Sequence, residues 1–384
     1  RIQLCGGRAQ VGADGVVGGI YGEIFAPTKT GSSVHFRKTS TKIQYFDGTT
    51  WQDTITGLTA DSDYTFSPYL SLAGAYLFAT GPDGLYKIPT ANPGSYKDMY
   101  DSAKNHKGFT LINDQRMFLW NRTDGTPDAT AIYLSKIDPQ GTNYTTVTNE
   151  VVGTGDGVLT SFSGTLTQAT GKRFVFGISL NMNPLGITAT DNFEGVISGT
   201  GVTGTINYAT GAWTLTFASA VANATQIRMS YQYEDSNVDG ITDFTFSATR
   251  IAGEGDFVPQ EYLGEPIQNV LVFEGKYYSM KKTCVYELNL TSDDRNATNN
   301  VYRVDIGIPS LRSAVSTGKG IVYMDTGNPS RPMLSLLQRN PFGGNLEPIN
   351  LTPLFKWENY TLNNVVVDTF GEFIVISAKQ SGSD

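Results

Sequence analysis

The sequence predicts an all-β protein: a β-propeller with a β-sandwich inserted between its blades. Three observations lead there. Composition favours short strands and tight turns, a strand–turn–strand phrase recurs along the chain, and one stretch between two copies of that phrase has a texture of its own.

Of 384 residues, 39% are hydrophobic and only 17% charged, so Thr, Ser, Asn and Gly must finish much of the surface. The 42 glycines supply turns, and the 20 tyrosines and 20 phenylalanines favour a pleated, half-buried surface over a helix.

The phrase is clearest in GAYLFATGPDGLYKIP (74–89) and GKYYSMKKTCVYELN (275–289). Each runs from Gly through an apolar strand, breaks, and resumes with an aliphatic–Tyr–charged–aliphatic step. In order along the chain, STKIQYFDGTTW (40–51) places Ile43 and Tyr45 before the tight-turn pair Asp47-Gly48. DQRMFLWNRTDGTPDATAIYLSKI (114–137) gives a strand, a polar turn at Asp124-Gly125, and a second strand around Tyr133. GKGIVYMDTGNPSRPMLSLL (318–337) repeats the pattern with Leu334 in the second strand, and GEFIVISAKQ (371–380) supplies a further first strand. Tyr45 to Tyr86 is 41 residues, Tyr86 to Tyr133 is 47, and Tyr286 to Leu334 is 48. Paired strands recurring at about 40–50 residues are the mark of propeller blades, each a small sheet that must stack on its neighbours to bury both faces. The strands beginning near Tyr76, Met117, Tyr277, Ile321 and Phe373 are therefore expected at one equivalent position in successive blades.

Tyr133 to Tyr286 spans 153 residues, more than three periods. Inside this interval, residues 151–234 are poor in charge and rich in Thr and Gly. Ile227, Met229, Tyr231 and Tyr233 alternate with Gln226, Arg228, Ser230 and Gln232, the period of a strand with one buried face. Ile206 and Tyr208 face Trp213, Leu215 and Phe217 across Ala209-Thr210-Gly211, which predicts a hairpin with the same face apolar. The expected organisation is propeller over 1–150, sandwich over 151–234 and propeller again over 235–384, with one irregular blade.

The stretch GTGDGVLTSFSGTL (153–166), followed by GTINYATGAWTLTF (204–217) and IRMSYQY (227–233), resembles a small β-sandwich unit that recurs in tail and baseplate proteins of tailed bacteriophages. The flanking repeats look like the propeller of phage tail hub or nozzle proteins. The resemblance implies a structural role in the virion tail, as a homo-oligomeric ring in contact with other tail proteins. No catalytic motif comes with it.

Candidate chemistry is sparse. In DSNVDGITD (235–243), Asp235, Asn237, Asp239 and Asp243 fall at the first, third, fifth and ninth positions of a calcium loop, with Gly240 at the turn. Alternate hard oxygen ligands around a Gly turn suit Ca²⁺. Phe246 stands where the usual bidentate Glu would be, and a solvated acidic linker is the plainer alternative. No other cofactor is expected. The two histidines, His35 and His106, and the two cysteines, Cys5 and Cys284, lie apart, leaving little material for a zinc site or a catalytic triad. Glu254, Asp256, Glu261 and Glu265 form the densest acidic segment, the one place a glycosidase carboxylate pair could arise. Trp51, Trp120, Trp213 and Trp357 could stack on sugars in a receptor- or glycan-binding module, or simply pack in cores. A net charge of −8 without a basic run argues against sequence-specific nucleic-acid binding. No apolar run approaches the roughly 18 residues of a membrane helix.

Overall fold

The computed structural model describes residues 20–70, 74–98, 107–113, 116–121, 132–134, 144–169, 175–182, 186–192, 195–208, 210–234, 255–257, 265–289, 298–303, 306–328, 331–340, 346–352, 357, 360–370 and 373–380. Nearly all of them lie in strands or the turns between strands, and the chain is all-β. Two compact units emerge, one of residues 10–117 and 136–245, the other of residues 1–9, 118–135 and 246–384.

In the first unit, β1 (Gly22–Pro27), β2 (Ser33–Lys38), β3 (Ile43–Phe46) and β4 (Trp51–Ile55) form an antiparallel meander, as do β5 (Thr65–Leu70), β6 (Ala75–Gly81), β7 (Gly84–Pro89) and β8 (Lys97–Asp98). Period-two alternation decides which side is core. Ala26, Phe36, Ile43 and Ile55 of the first sheet are buried together with Leu77, Ala79, Tyr86 and Ile88 of the second. The Asp47-Gly48 turn forms as expected: the Asp47 carboxylate accepts the N–H groups of Thr49 (2.8 Å) and Thr50 (2.7 Å), and Gly48 sits at φ +100°, where a side chain would be strained.

A third sheet has the order β20-β11-β10-β9, from β9 (Phe109–Asn113), β10 (Arg116–Trp120), β11 (Ile132–Leu134) and β20 (Gly255–Phe257). The division between the two units falls within β10. The second unit continues with the meanders β21 (Asn269–Phe273), β22 (Lys276–Met280), β23 (Val285–Asn289), β24 (Thr298–Arg303), and β25 (Ala314–Thr317), β26 (Gly320–Asp325), β27 (Met333–Arg339), β28 (Leu346–Asn350). A two-stranded sheet of β29 (Tyr360–Phe370) and β30 (Phe373–Gln380) follows.

The repeated phrase maps onto this topology. Tyr76, Met117, Tyr277, Ile321 and Phe373 all lie in the second strand of their sheets, and Tyr45, Tyr86, Tyr133, Tyr286 and Leu334 all lie in the third. Within each unit the first strand of one sheet packs beside the first strand of the next: β1 by β5 and β5 by β9, then β21 by β25 and β25 by β29.

The long interval also has a structural cause. Leu134 of β11 pairs with Gly255 of β20, so the chain leaves the third sheet after its third strand and returns as its fourth only 121 positions later (255 minus 134). Between these points lie β12 (Tyr144–Thr154), β13 (Ser161–Thr165), β14 (Val175–Met182), β15 (Ile187–Asp191), β16 (Val196–Gly199), β17 (Val202–Ile206), β18 (Ala212–Phe217) and β19 (Gln226–Glu234). The segment expected as a sandwich hydrogen-bonds into one sheet, in the order β12-β19-β14-β15-β16-β17-β18-β13, and begins at Tyr144, ahead of residue 151. Its end strands β12 and β13 approach each other, so the sheet is a nearly closed barrel. Register shifts in β12 and β14 bend those strands and help the sheet curl. Ile227, Met229 and Tyr231 point inward with Ile206, Trp213, Leu215 and Phe217, while Gln226, Arg228 and Gln232 face water, as their alternation predicts. Tyr144 stands opposite Glu234, so the ends of the barrel segment lie side by side.

Candidate functional site

The first sheet turns an unusual face away from its core. Strand alternation places Glu23 and Phe25 of β1, His35 and Arg37 of β2, Gln44 and Phe46 of β3, and Trp51 and Asp53 of β4 on that one side. The rings form a continuous run. Phe25 stacks on His35 with centroids 4.1 Å apart and planes 17° from parallel. His35 meets the Trp51 ring edge-on at 4.8 Å, and Trp51 lies 5.4 Å from Phe46. Offset and edge-to-face contacts of this kind are the favoured aromatic geometries.

Polar groups fix the run in place. Glu23 Oε1 lies 2.5 Å from His35 Nε2 and holds the imidazole edge. The Arg37 guanidinium lies 3.8 Å from the centre of the Trp51 ring and is 3% exposed beneath it, a cation–π contact strengthened by burial. Arg37 donates to Gln44 Oε1 through Nε (3.0 Å) and Nη2 (2.8 Å). Gln44 Nε2 donates to Asp53 Oδ1 at 2.8 Å, and Lys42 Nζ donates to Asp53 Oδ2 at 2.6 Å. Burial of the Asp53 carboxyl acts to raise its pKa, but these donors outweigh it and hold the group below the usual aspartate value. Phe25 is nonetheless 64% exposed, with its ring held by His35. Such an arrangement can offer an exposed apolar ring edged by hydrogen-bonding groups.

Of the four tryptophans proposed as sugar platforms, three are core residues. Trp120, Trp213 and Trp357 are 1%, 3% and 3% exposed. Trp51 alone is half-buried, on the face just described. Its neighbours Phe25 and His35 were not singled out with it, although the alternation of FAPTKTGSSVHF would have put them on one side once β1 and β2 were paired. Asp235, Asn237, Asp239 and Asp243 lie outside the described residues, and so do Glu254, Glu261, Cys5 and His106. Asp256 sits on β20 opposite Tyr133, and Glu265 accepts the Thr283 hydroxyl at 2.7 Å. Among the described residues no cluster of three or more His, Cys, Asp or Glu side chains could hold a metal. Cys284 is a buried free thiol, and burial pushes its pKa up. No helix among the described residues is long and apolar enough to cross a membrane.

No protein-family model matches this chain, and no curated protein matches it. Solved structures that resemble it include the extracellular domain of the hybrid two component system BT4673 from B. thetaiotaomicron, at 9% identity and a TM-score of 0.31. That alignment covers 96% of this chain but only 39% of the other. YCF48 bound to D1 peptide aligns over 94% of this chain and 92% of its own, at 10% identity and a TM-score of 0.26. At these TM-scores neither likeness bears on function.

Proposed function

We propose that this chain is a structural component of a bacteriophage tail, a propeller-type stack of sheets carrying an inserted domain of the tail-protein type. It works in the virion as a homo-oligomeric ring, in contact with other tail proteins and without an enzymatic activity of its own. The observation that supports the propeller reading most is the side-by-side packing of first strands in consecutive four-stranded meanders. Stacked sheets of that kind give a rigid body with short, protected edges. The barrel segment occupies the place of the sandwich unit in the resemblance. It leaves and re-enters one sheet between paired strands, an economical way to add a module.

Identical copies associate through repeated contacts that close into a ring when the rotation allows. The −8 charge of each copy, turned toward a central channel, would let DNA slide instead of adhere. Electron microscopy of the purified chain and of intact virions tests the proposal. Symmetric rings and density in the tail are the expected result. A monomer that cleaves a glycan, with loss of cleavage in Glu254→Gln or Asp256→Asn, would replace it with the glycosidase reading.

A further inference from the structure

We propose that the outward face of the first sheet is a carbohydrate-binding platform, with Phe25 as the stacking ring and the carboxylates of Glu23 and Asp53 as hydrogen-bond acceptors. The inference is independent of the ring assembly, because it concerns the surface of a single copy.

Three properties of the face point to a sugar. Phe25 is exposed and also immobilised, resting on His35, whose imidazole is pinned by Glu23 and met by Trp51. A lone exposed ring is ordinary on a protein surface, but a locked run of four across a sheet is not. Rings held in advance lose little conformational freedom on binding, which suits a weakly interacting ligand.

The second property is the edging of the run. The Asp53 carboxylate stands there, partly exposed (38%), with Oδ1 and Oδ2 each accepting one donor. A carboxylate has about four acceptor positions, so Asp53 can also take ligand hydroxyls. Glu23 is exposed beside Phe25 on the same face. A pyranose presents C–H groups on one face and hydroxyls around its rim, the complement of a phenyl ring edged by carboxylates.

The third property sets this face apart from the one on which the next sheet stacks. Contact between sheets in this chain is made by residues such as Ala26, Phe36, Leu77 and Ile88. The outward face instead carries Glu23, Lys42 and Asp53, and stacking a sheet on it would strip water from those charges. A sugar leaves the rim hydrated and replaces water at the ring alone.

The test uses the full chain on an array of neutral oligosaccharides of gluco-, galacto-, manno- and N-acetylglucosamine configuration, followed by calorimetric titration of any hit. Phe25→Ala removes an exposed ring and should melt like the wild type while binding the hit about tenfold or more weakly. Asp53→Asn and Glu23→Gln keep the shape and should each weaken binding by a smaller factor. Binding to none of the arrayed sugars would overturn the proposal, as would a hit unaffected by Phe25→Ala. Sedimentation of both proteins covers the remaining case. A loss of oligomeric mass in Phe25→Ala would assign the face to a contact between copies, and the platform would be refuted.

Discussion

Lys38 carries its charge where no pattern of residues along the strand would place it. The residue ends β2 and is fully buried, with Nζ donating to the carbonyls of Thr39 (2.7 Å), Ser40 (2.7 Å) and Thr59 (3.4 Å). Nearby, Asp83 accepts the Thr59 N–H (2.9 Å), the Thr59 hydroxyl (2.6 Å) and the Tyr64 hydroxyl (2.6 Å). Burial raises the Asp83 pKa, but these donors outweigh it and the folded value lies below 3.8. A depressed carboxyl stabilises the fold above its unfolded pKa and loses that contribution as pH falls through the folded value. Asp83→Asn is therefore expected to cost about 1–3 kcal/mol at neutral pH and much less near pH 2, which urea titrations across that range will measure. For Lys38 the sign is the same but the window lies on the alkaline side. Burial lowers its folded pKa, so between that value and 10.5 the unfolded chain binds more protons and stability from this group rises with pH. Lys38→Met should still destabilise, by about 1–3 kcal/mol, because three carbonyls lose their donor. None of this was legible in RKTSTK, where a lysine beside Ser and Thr reads as surface. The four tryptophans were equally opaque, since a sequence shows the ring but not which side of the sheet is covered.

At the scale of elements, the strands and their faces were largely legible, and their closure was not. Alternation marked Ile227, Met229 and Tyr231 as one face, and the same face is core. Alternation cannot say whether two faces pack as separate sheets or whether one sheet curls onto itself. That depends on irregularities such as the register shift between Phe176 and Ser179, and on close approaches of backbone. Gly204 shows why such approaches need glycine: a Cβ there would lie 2.1 Å from the Thr214 carbonyl oxygen. Gly204→Val is expected to destabilise the barrel by about 1–3 kcal/mol, read as a lower melting point of its unfolding step. Fourth strand β20 was hidden for another reason. Three residues long and 121 positions (255 minus 134) from its partner, it carries no periodic signal that a sequence could show. The barrel is also tied to its own unit. Asn92 Oδ1 accepts the Tyr208 N–H at 2.8 Å, and Asn207 Nδ2 donates to Ser95 at 2.9 Å. Asn92→Ala should release that seat without unfolding either part, so amide exchange will quicken at Tyr208 while the inner residues of β18 and β19 keep their protection.

For the whole molecule, the question is what opposes and what favours association of identical copies. Each copy carries 36 acidic against 28 basic side chains, and in the proposed ring the resulting −8 charge would repel neighbouring copies. Repulsion between exposed charges is screened over about 8 Å at physiological ionic strength and over about 3 Å at 1 M salt. Contacts that rely on shape and burial of apolar surface, as those of the proposed ring would, are not weakened by salt. Assembly of this chain should therefore strengthen as sodium chloride rises from low to molar concentration, the reverse of a complex held by opposite charges. Calcium separates two contributions to that trend. If Asp235, Asn237, Asp239 and Asp243 bind Ca²⁺, the ion cancels two negative charges per copy and stiffens the return from barrel to sheet. Millimolar calcium would then raise the melting temperature and promote assembly at low salt, and a chelator would reverse both. If the four residues only solvate a linker, calcium will act no differently from an equal ionic strength of sodium chloride. Sedimentation velocity across a salt series, with and without calcium, distinguishes these outcomes. Dissociation with rising salt would show that specific ion pairs hold the copies together, and would remove the shape-driven account of the ring.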